Sequence, residues 1–132
     1  MASESGRKGR RRAKPRKPLA VVWTERALSD LEAIGDFIAV DNPVAAERWV
    51  GVLMAAAQRA AVAPRAGRRV PELGRDDVRE VLKRTYRIVY RVKRGSVQVL
   101  TIFEGHRLFP KNVGREDDVI AAFRKVNQMG MT

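Results

Sequence analysis

Val78-Arg79-Glu80-Val81-Leu82-Lys83, Tyr86-Arg87-Ile88-Val89-Tyr90-Arg91-Val92-Lys93 and Val97-Gln98-Val99-Leu100-Thr101-Ile102-Phe103 follow one another almost without interruption. They are rich in Val, Ile and Tyr and carry a period of two, the pattern of β-strands. Arg94-Gly95-Ser96 is a short turn that makes a hairpin of the second and third segments, and Arg84-Thr85 joins the first and second likewise. In the middle segment Tyr86, Ile88, Tyr90 and Val92 share one face, and Arg87, Val89, Arg91 and Lys93 share the other. The first of these faces needs a cover.

That cover lies upstream. Leu19-Ala20-Val21-Val22-Trp23 reads as a buried strand, and Thr24 after it offers a helix N-cap. Ala27, Leu31, Ile34 and Ile38 then fall on one helix face, widened by Leu28, while Glu25, Arg26, Asp30, Glu32 and Asp36 occupy the opposite face. Asp41-Asn42-Pro43 ends this helix and starts another, with a cap residue followed by proline at the first helical position. Ala45, Trp49, Val52, Ala56 and Ala60 form the stripe of the second helix, which stops at Ala63-Pro64. On that stripe Trp49 is expected in the core rather than as an anchor for a partner. The order β-α-α-β-β-β predicts an α+β fold, a helical hairpin packed on a small, mostly antiparallel sheet. Residues 64–77, with two prolines and two glycines, form a long loop, and loops of that length are often functional. Val119, Ala122, Phe123 and Val126 allow a helix over 118–126. The chain divides into a basic, disordered arm at 1–18, one domain at 19–110 and a tail at 111–132.

With 132 residues there is room for one core. The absence of cysteine excludes disulfides, a thiolate nucleophile and cysteine-ligated zinc or iron–sulfur centres. His106 is the single histidine, so a multi-histidine metal site is excluded and no cofactor is expected. No apolar run approaches the ~18 residues of a membrane span. The basic N-terminus lacks the apolar segment of a secretory signal, so a cytoplasmic protein is expected. The net charge is +12 and unevenly spread. Residues 1–18 hold eight basic residues against one acidic, and residues 65–115 hold fourteen against five, whereas residues 19–64 are net acidic. Such a field suits a polyanionic partner: nucleic acid, a ribosome or an acidic protein.

Several short stretches together resemble the RelE/ParE superfamily of toxins, in its ParE-like "plasmid stabilisation" subgroup. They are Val22-Trp23-Thr24 with Ala27 and Asp30-Leu31, Asp41-Asn42-Pro43, Gly67-Arg68-Arg69-Val70-Pro71-Glu72-Leu73, Arg79-Glu80, Tyr86-Arg87-Ile88-Val89-Tyr90, and Gly105-His106-Arg107. The resemblance covers about residues 19–110. It implies the toxin of a type II toxin–antitoxin pair, which arrests growth when freed from its antitoxin.

Two mechanisms occur in that superfamily. ParE-type members poison DNA gyrase. RelE-type members cut messenger RNA on the ribosome without a metal, which requires a base at the ribose hydroxyl, cations at the phosphate and an acid at the leaving oxygen. By resemblance Arg87 and Arg107 match the arginines of the RNA-cutting enzymes, and Arg79 falls near one of their strand lysines. Val81 and Val113 stand at or near the positions of a second lysine and the catalytic tyrosine, where neither can act. Glu72, Arg87 and His106 instead match a YoeB-like Glu/Arg/His version. The incomplete lysine/tyrosine set favours the gyrase mechanism, with the RNA-cutting mechanism as the alternative. An acidic, disordered antitoxin segment is expected to contact Arg68, Arg69, Arg79, Arg87 and Arg91 in a toxin–antitoxin hetero-oligomer. A further alternative is a non-catalytic RNA- or DNA-binding module with bases stacked on Tyr86 and Tyr90, although that face is expected to pack on the helices.

Overall fold

The computed structural model describes residues 17–114. Most of the proposed arm at 1–18 and the helix proposed at 118–126 lie outside the described residues. The elements are β1 (Ala20–Trp23), α1 (Glu25–Asp41), α2 (Pro43–Val62), a short 3-10 turn (Pro64–Ala66), β2 (Arg68–Arg69), β3 (Val78–Lys83), β4 (Tyr86–Lys93) and β5 (Ser96–Glu104). They form one five-stranded sheet in the order β1-β5-β4-β3-β2. β1 runs parallel to β5, and every other pair is antiparallel. The expected α+β order is present, with β2 as an added edge strand inside the 64–77 loop.

Thr24 links three elements. Its side chain accepts from the Ala27 N–H and so caps α1. Its hydroxyl proton faces the carbonyls of Val99 at 2.9 Å and Leu100 at 3.1 Å, tying the start of the helix to β5. Asn42 caps α2 by accepting from the Ala45 N–H, and Pro43 follows at the first helical position.

Two details depart from the helical stripes read from sequence. Asp30, expected on the solvent face, turns inward. β1 stops opposite Val99, so the Ile102 N–H of β5 has no strand partner on that side. Asp30 takes that place, accepting from the Ile102 N–H at 3.1 Å and the Thr101 hydroxyl at 2.5 Å. Burial pushes its carboxyl above the usual range, although these hydrogen bonds and Arg26 oppose the rise. On α2 the buried row is Ala46, Leu53, Ala56, Ala57, Ala60 and Ala61, while Ala45, Trp49 and Val52 sit on its flank. The alanines give way to bulkier sheet residues: Ala60 and Ala61 meet Tyr90 and Val97.

The sheet is covered on both faces. The helices bury one face in a cluster of Trp23, Leu28, Leu31, Leu53, Ile88 and Ile102. Val70, Val78, Val89, Leu100, Phe103 and Val113 form a second core on the other face, closed by Leu73 and Phe109. A one-residue register slip between β4 and β5 makes this arrangement possible, because Val89 pairs with Thr101 and Tyr90 with Val99. Leu100 is the extra residue. Val99 and Ile102 thereby reach the helical side, and Leu100 and Phe103 reach the other.

Gly67 is required by close approach. A Cβ there would press on the Tyr90 hydroxyl and lie 2.8 Å from the Glu80 carbonyl oxygen. Tyr90 is fixed because its hydroxyl donates to the Pro64 carbonyl at 2.6 Å. Gly67→Ala is therefore expected to cost about 1–3 kcal/mol. Urea denaturation would show this as a lower midpoint at unchanged m-value.

Candidate functional site

β4 places Arg87 on the face away from the helices, where the second core closes around it. All three guanidinium nitrogens are engaged. Nε donates to Glu80 Oε1 at 2.7 Å, and Nη1 and Nη2 donate to the two oxygens of Glu72 at 2.9 and 2.7 Å. The guanidinium also lies 5.1 Å from the centre of the Phe103 ring and 5.5 Å from that of Phe109. Arg68 donates to the second oxygen of Glu80 at 2.6 Å. The result is a chain of alternating charge, Arg68–Glu80–Arg87–Glu72, that ties β2, β3, β4 and the 70–77 loop together. The Glu80 side chain is fully buried, so the two arginines compensate its charge.

The two carboxylates hold Arg87 firmly protonated, the Glu72 hydrogen bonds most of all. Arg87 in turn holds the Glu72 carboxyl below its ordinary value of 4.5. A lowered folded-state value stabilises the protein above the unfolded value, and the contribution is lost as pH falls through the folded one. The Glu72 side chain is 40% exposed, so solvent screens this contribution.

Arg79, Arg91 and Arg69 are placed outside this cluster. Arg79 pairs across the sheet with Tyr90, on the face opposite Arg87. Its guanidinium clamps the loop, donating to the Asp76 carbonyl and carboxylate at 3.0 and 2.7 Å and to the Gly67 carbonyl at 3.1 Å. Arg91 is buried at 9% exposure, opposite Gln98, with Asp77 in its field. Arg69 is exposed and donates to the Gly74 carbonyl. The Arg68 side chain is 55% exposed. Of the five arginines assigned to partner contact, Arg68 and Arg69 thus lie at the surface, while Arg79, Arg87 and Arg91 are turned into the fold.

His106 and Arg107 follow the end of β5. The His106 Nδ1 is 2.7 Å from Glu104 Oε2, and its backbone N–H donates to Glu104 Oε1 at 2.8 Å. Of the trio Glu72, Arg87 and His106, the first two are in direct contact and the histidine is engaged by Glu104. The Glu104 carboxylate raises the His106 pKa above 6.5. This pairing stabilises the fold fully below the unfolded value, and the contribution disappears as pH rises through the folded one. An NMR titration is expected to place the His106 midpoint above 6.5, and Glu104→Gln to return it there. Arg107 is exposed and lines two clefts along the open side of β5, with Asp30 and Phe103 in both.

Tyr86 and Tyr90 face the helices, as the alternation predicts. Tyr90 is buried, and the Tyr86 ring lies 6.3 Å from that of Trp49. The Arg84 guanidinium sits over Trp49 at 5.5 Å. Sequence reasoning missed Glu80 as a site residue. The signal was present: in a period-two strand, Glu80 shares a face with Val78 and stands one strand from Arg87. Among the described residues no group of His, Asp or Glu is arranged to hold a metal ion. No helix among them is long and apolar enough to cross a membrane.

The described residues thus form a helical hairpin on a five-stranded mixed sheet. A family model described as the ParE toxin of the type II toxin–antitoxin system parDE matches residues 21–109. The chain is 42% identical over 89 residues to toxin RelE2 of Caulobacter vibrioides, covering 67% of this chain and 97% of that protein. Among solved structures it resembles a chain of the chromosomal ParDE toxin–antitoxin system from P. aeruginosa. There the TM-score is 0.56 at 26% identity, over 65% of this chain and 95% of that one. The chain belongs to the ParE toxin family of type II toxin–antitoxin systems.

Proposed function

We propose that this toxin arrests growth by ParE-like inhibition of DNA gyrase in the cytoplasm once its antitoxin is removed. The observation that carries the reading is the state of Arg87. Every guanidinium nitrogen is bonded to a carboxylate, and the bidentate pair with Glu72 occupies the face a phosphate would need. A phosphate seeking Arg87 must displace one carboxylate and leave the other in place. Val113 is buried in the second core, and Val81 packs toward the helices. Neither supplies an acid or a base. Arg79 lies on the opposite face of the sheet, and the His106 ring is engaged by Glu104.

The second reading is a YoeB-like, metal-free mRNA endonuclease. The observation that favours it is that Gly105, just before His106, lies against the Arg87 side chain: a Cβ there would be 3.5 Å from Arg87 Cγ and Cδ. For the antitoxin, Arg68 and Arg69 on the β2 edge are the exposed basic contacts among those predicted, and an acidic segment pairs naturally with them.

Purified toxin added to purified gyrase and relaxed plasmid separates the readings. Loss of supercoiling with message left intact in a translating extract is expected. Message cleavage with normal supercoiling would support the endonuclease instead.

A further inference from the structure

The helical hairpin ends in a surface remote in character from the Arg87 cluster. Residues 32–47 contain Glu32, Asp36, Asp41 and Glu47 and no lysine or arginine, and with the exposed Arg48 that follows them the tip is still net acidic, in a chain of net charge +12. At the turn between the helices Phe37, Val40 and Val44 are 78%, 83% and 68% exposed. Phe37 and Val40 are three residues apart on α1 and so share a face, and Val44 follows in the first turn of α2. Single exposed apolar residues are ordinary, whereas a cluster with a charged rim marks an interaction surface.

Beside this cluster a groove of about 470 Å³ runs between the helices, lined by Ala39, Pro43, Val44 and Val50, with Asp36 and Glu47 also at its walls. That geometry suits the stem and head of a lysine or arginine: methylenes against the apolar floor, the cation between two carboxylates. The same acidic rim repels nucleic acid and an acidic antitoxin segment. The occupant must be basic around an apolar centre.

We propose that the hairpin tip is the surface that engages the target enzyme, docking on a basic, apolar-centred patch of the kind a DNA-handling enzyme presents to phosphate. This assignment rests on the gyrase reading and gives it a contact surface. The tip imitates the charge of the enzyme's normal ligand, while its apolar cap supplies the burial that makes a protein–protein contact last.

The test uses the full chain, purified gyrase and a supercoiling assay. Phe37→Ser/Val40→Lys/Val44→Lys and, separately, Asp36→Asn/Glu47→Gln change only exposed side chains, so both variants are expected to keep the wild-type melting temperature. The triple variant is expected to need more than about tenfold higher concentration for half-inhibition. The double variant is expected to lose potency at low salt, with the difference shrinking as salt rises. Wild-type potency in the triple variant overturns the assignment and leaves the gyrase reading standing. Failure of the wild type itself to inhibit gyrase removes that reading, and the assignment falls with it. If the wild type sediments as an oligomer that the triple variant dissolves, the occupant is a second copy and the assignment is wrong.

Discussion

Arg87→Ala is expected to destabilise the domain by about 3 kcal/mol, as breaking a buried ion pair does. Glu80 has a fully buried side chain and shares its two oxygens between Arg68 and Arg87. Without Arg87 one of those oxygens stays buried without its charged partner, and Arg68, itself half exposed, compensates only partly. The stacking of the guanidinium against Phe103 and Phe109 is lost in the same step. Glu72→Gln removes only the 40% exposed end of the chain and is expected to cost under about 1 kcal/mol. Urea denaturation of the two variants checks the contrast. The consequence for function is direct. Loss of growth arrest in Arg87→Ala reports a damaged fold unless the variant is shown to be folded, whereas Glu72→Gln loosens the hold on Arg87 in a protein that remains folded. A gyrase inhibitor should tolerate Glu72→Gln; an endonuclease that uses Glu72 and Arg87 should not.

Leu31→Ala is expected to cost about 2–5 kcal/mol. Leu31 has no exposed surface and sits in the cluster that joins α1, α2 and the sheet. The hairpin touches the sheet through small residues, above all the alanines of α2, so a few large side chains supply most of the buried volume. Removing one leaves a cavity the alanines cannot fill. Val40→Ala in the same helix removes a side chain that is 83% exposed and is expected to change stability by less than about 0.5 kcal/mol. Thermal denaturation of both variants tests whether the inner face of α1 is structural while its tip is free for contact.

Much of the fold was legible because its signals are local. Thr24, Asn42 and Pro43 mark the helix boundaries through their own side chains. The period-two strands and the two-residue turns at Arg84-Thr85 and Arg94-Gly95 set the meander. The misread parts depend on distant partners. Asp30 turns inward only because β1 ends before β5 does, which no spacing in α1 reveals. The second core needs the register slip at Leu100, and that slip exists only in the pairing of two strands. β2 is two residues long and gains its identity from Glu80, its neighbour across the sheet. The site followed the same rule. Arg87 was recognisable as a distinctive residue of its strand. Glu80 could have been found from its place in a period-two strand, but that Glu72 reaches Arg87 from the loop, that Arg79 points to the opposite face, and that His106 turns to Glu104 all required the assembled sheet.

The most direct measurement is expression of the wild type from a tightly controlled promoter without its antitoxin, with growth, bulk mRNA and plasmid supercoiling followed in the same cells. Inhibition of gyrase predicts growth arrest with altered supercoiling while mRNA stays intact. Early loss of mRNA with normal supercoiling would contradict it.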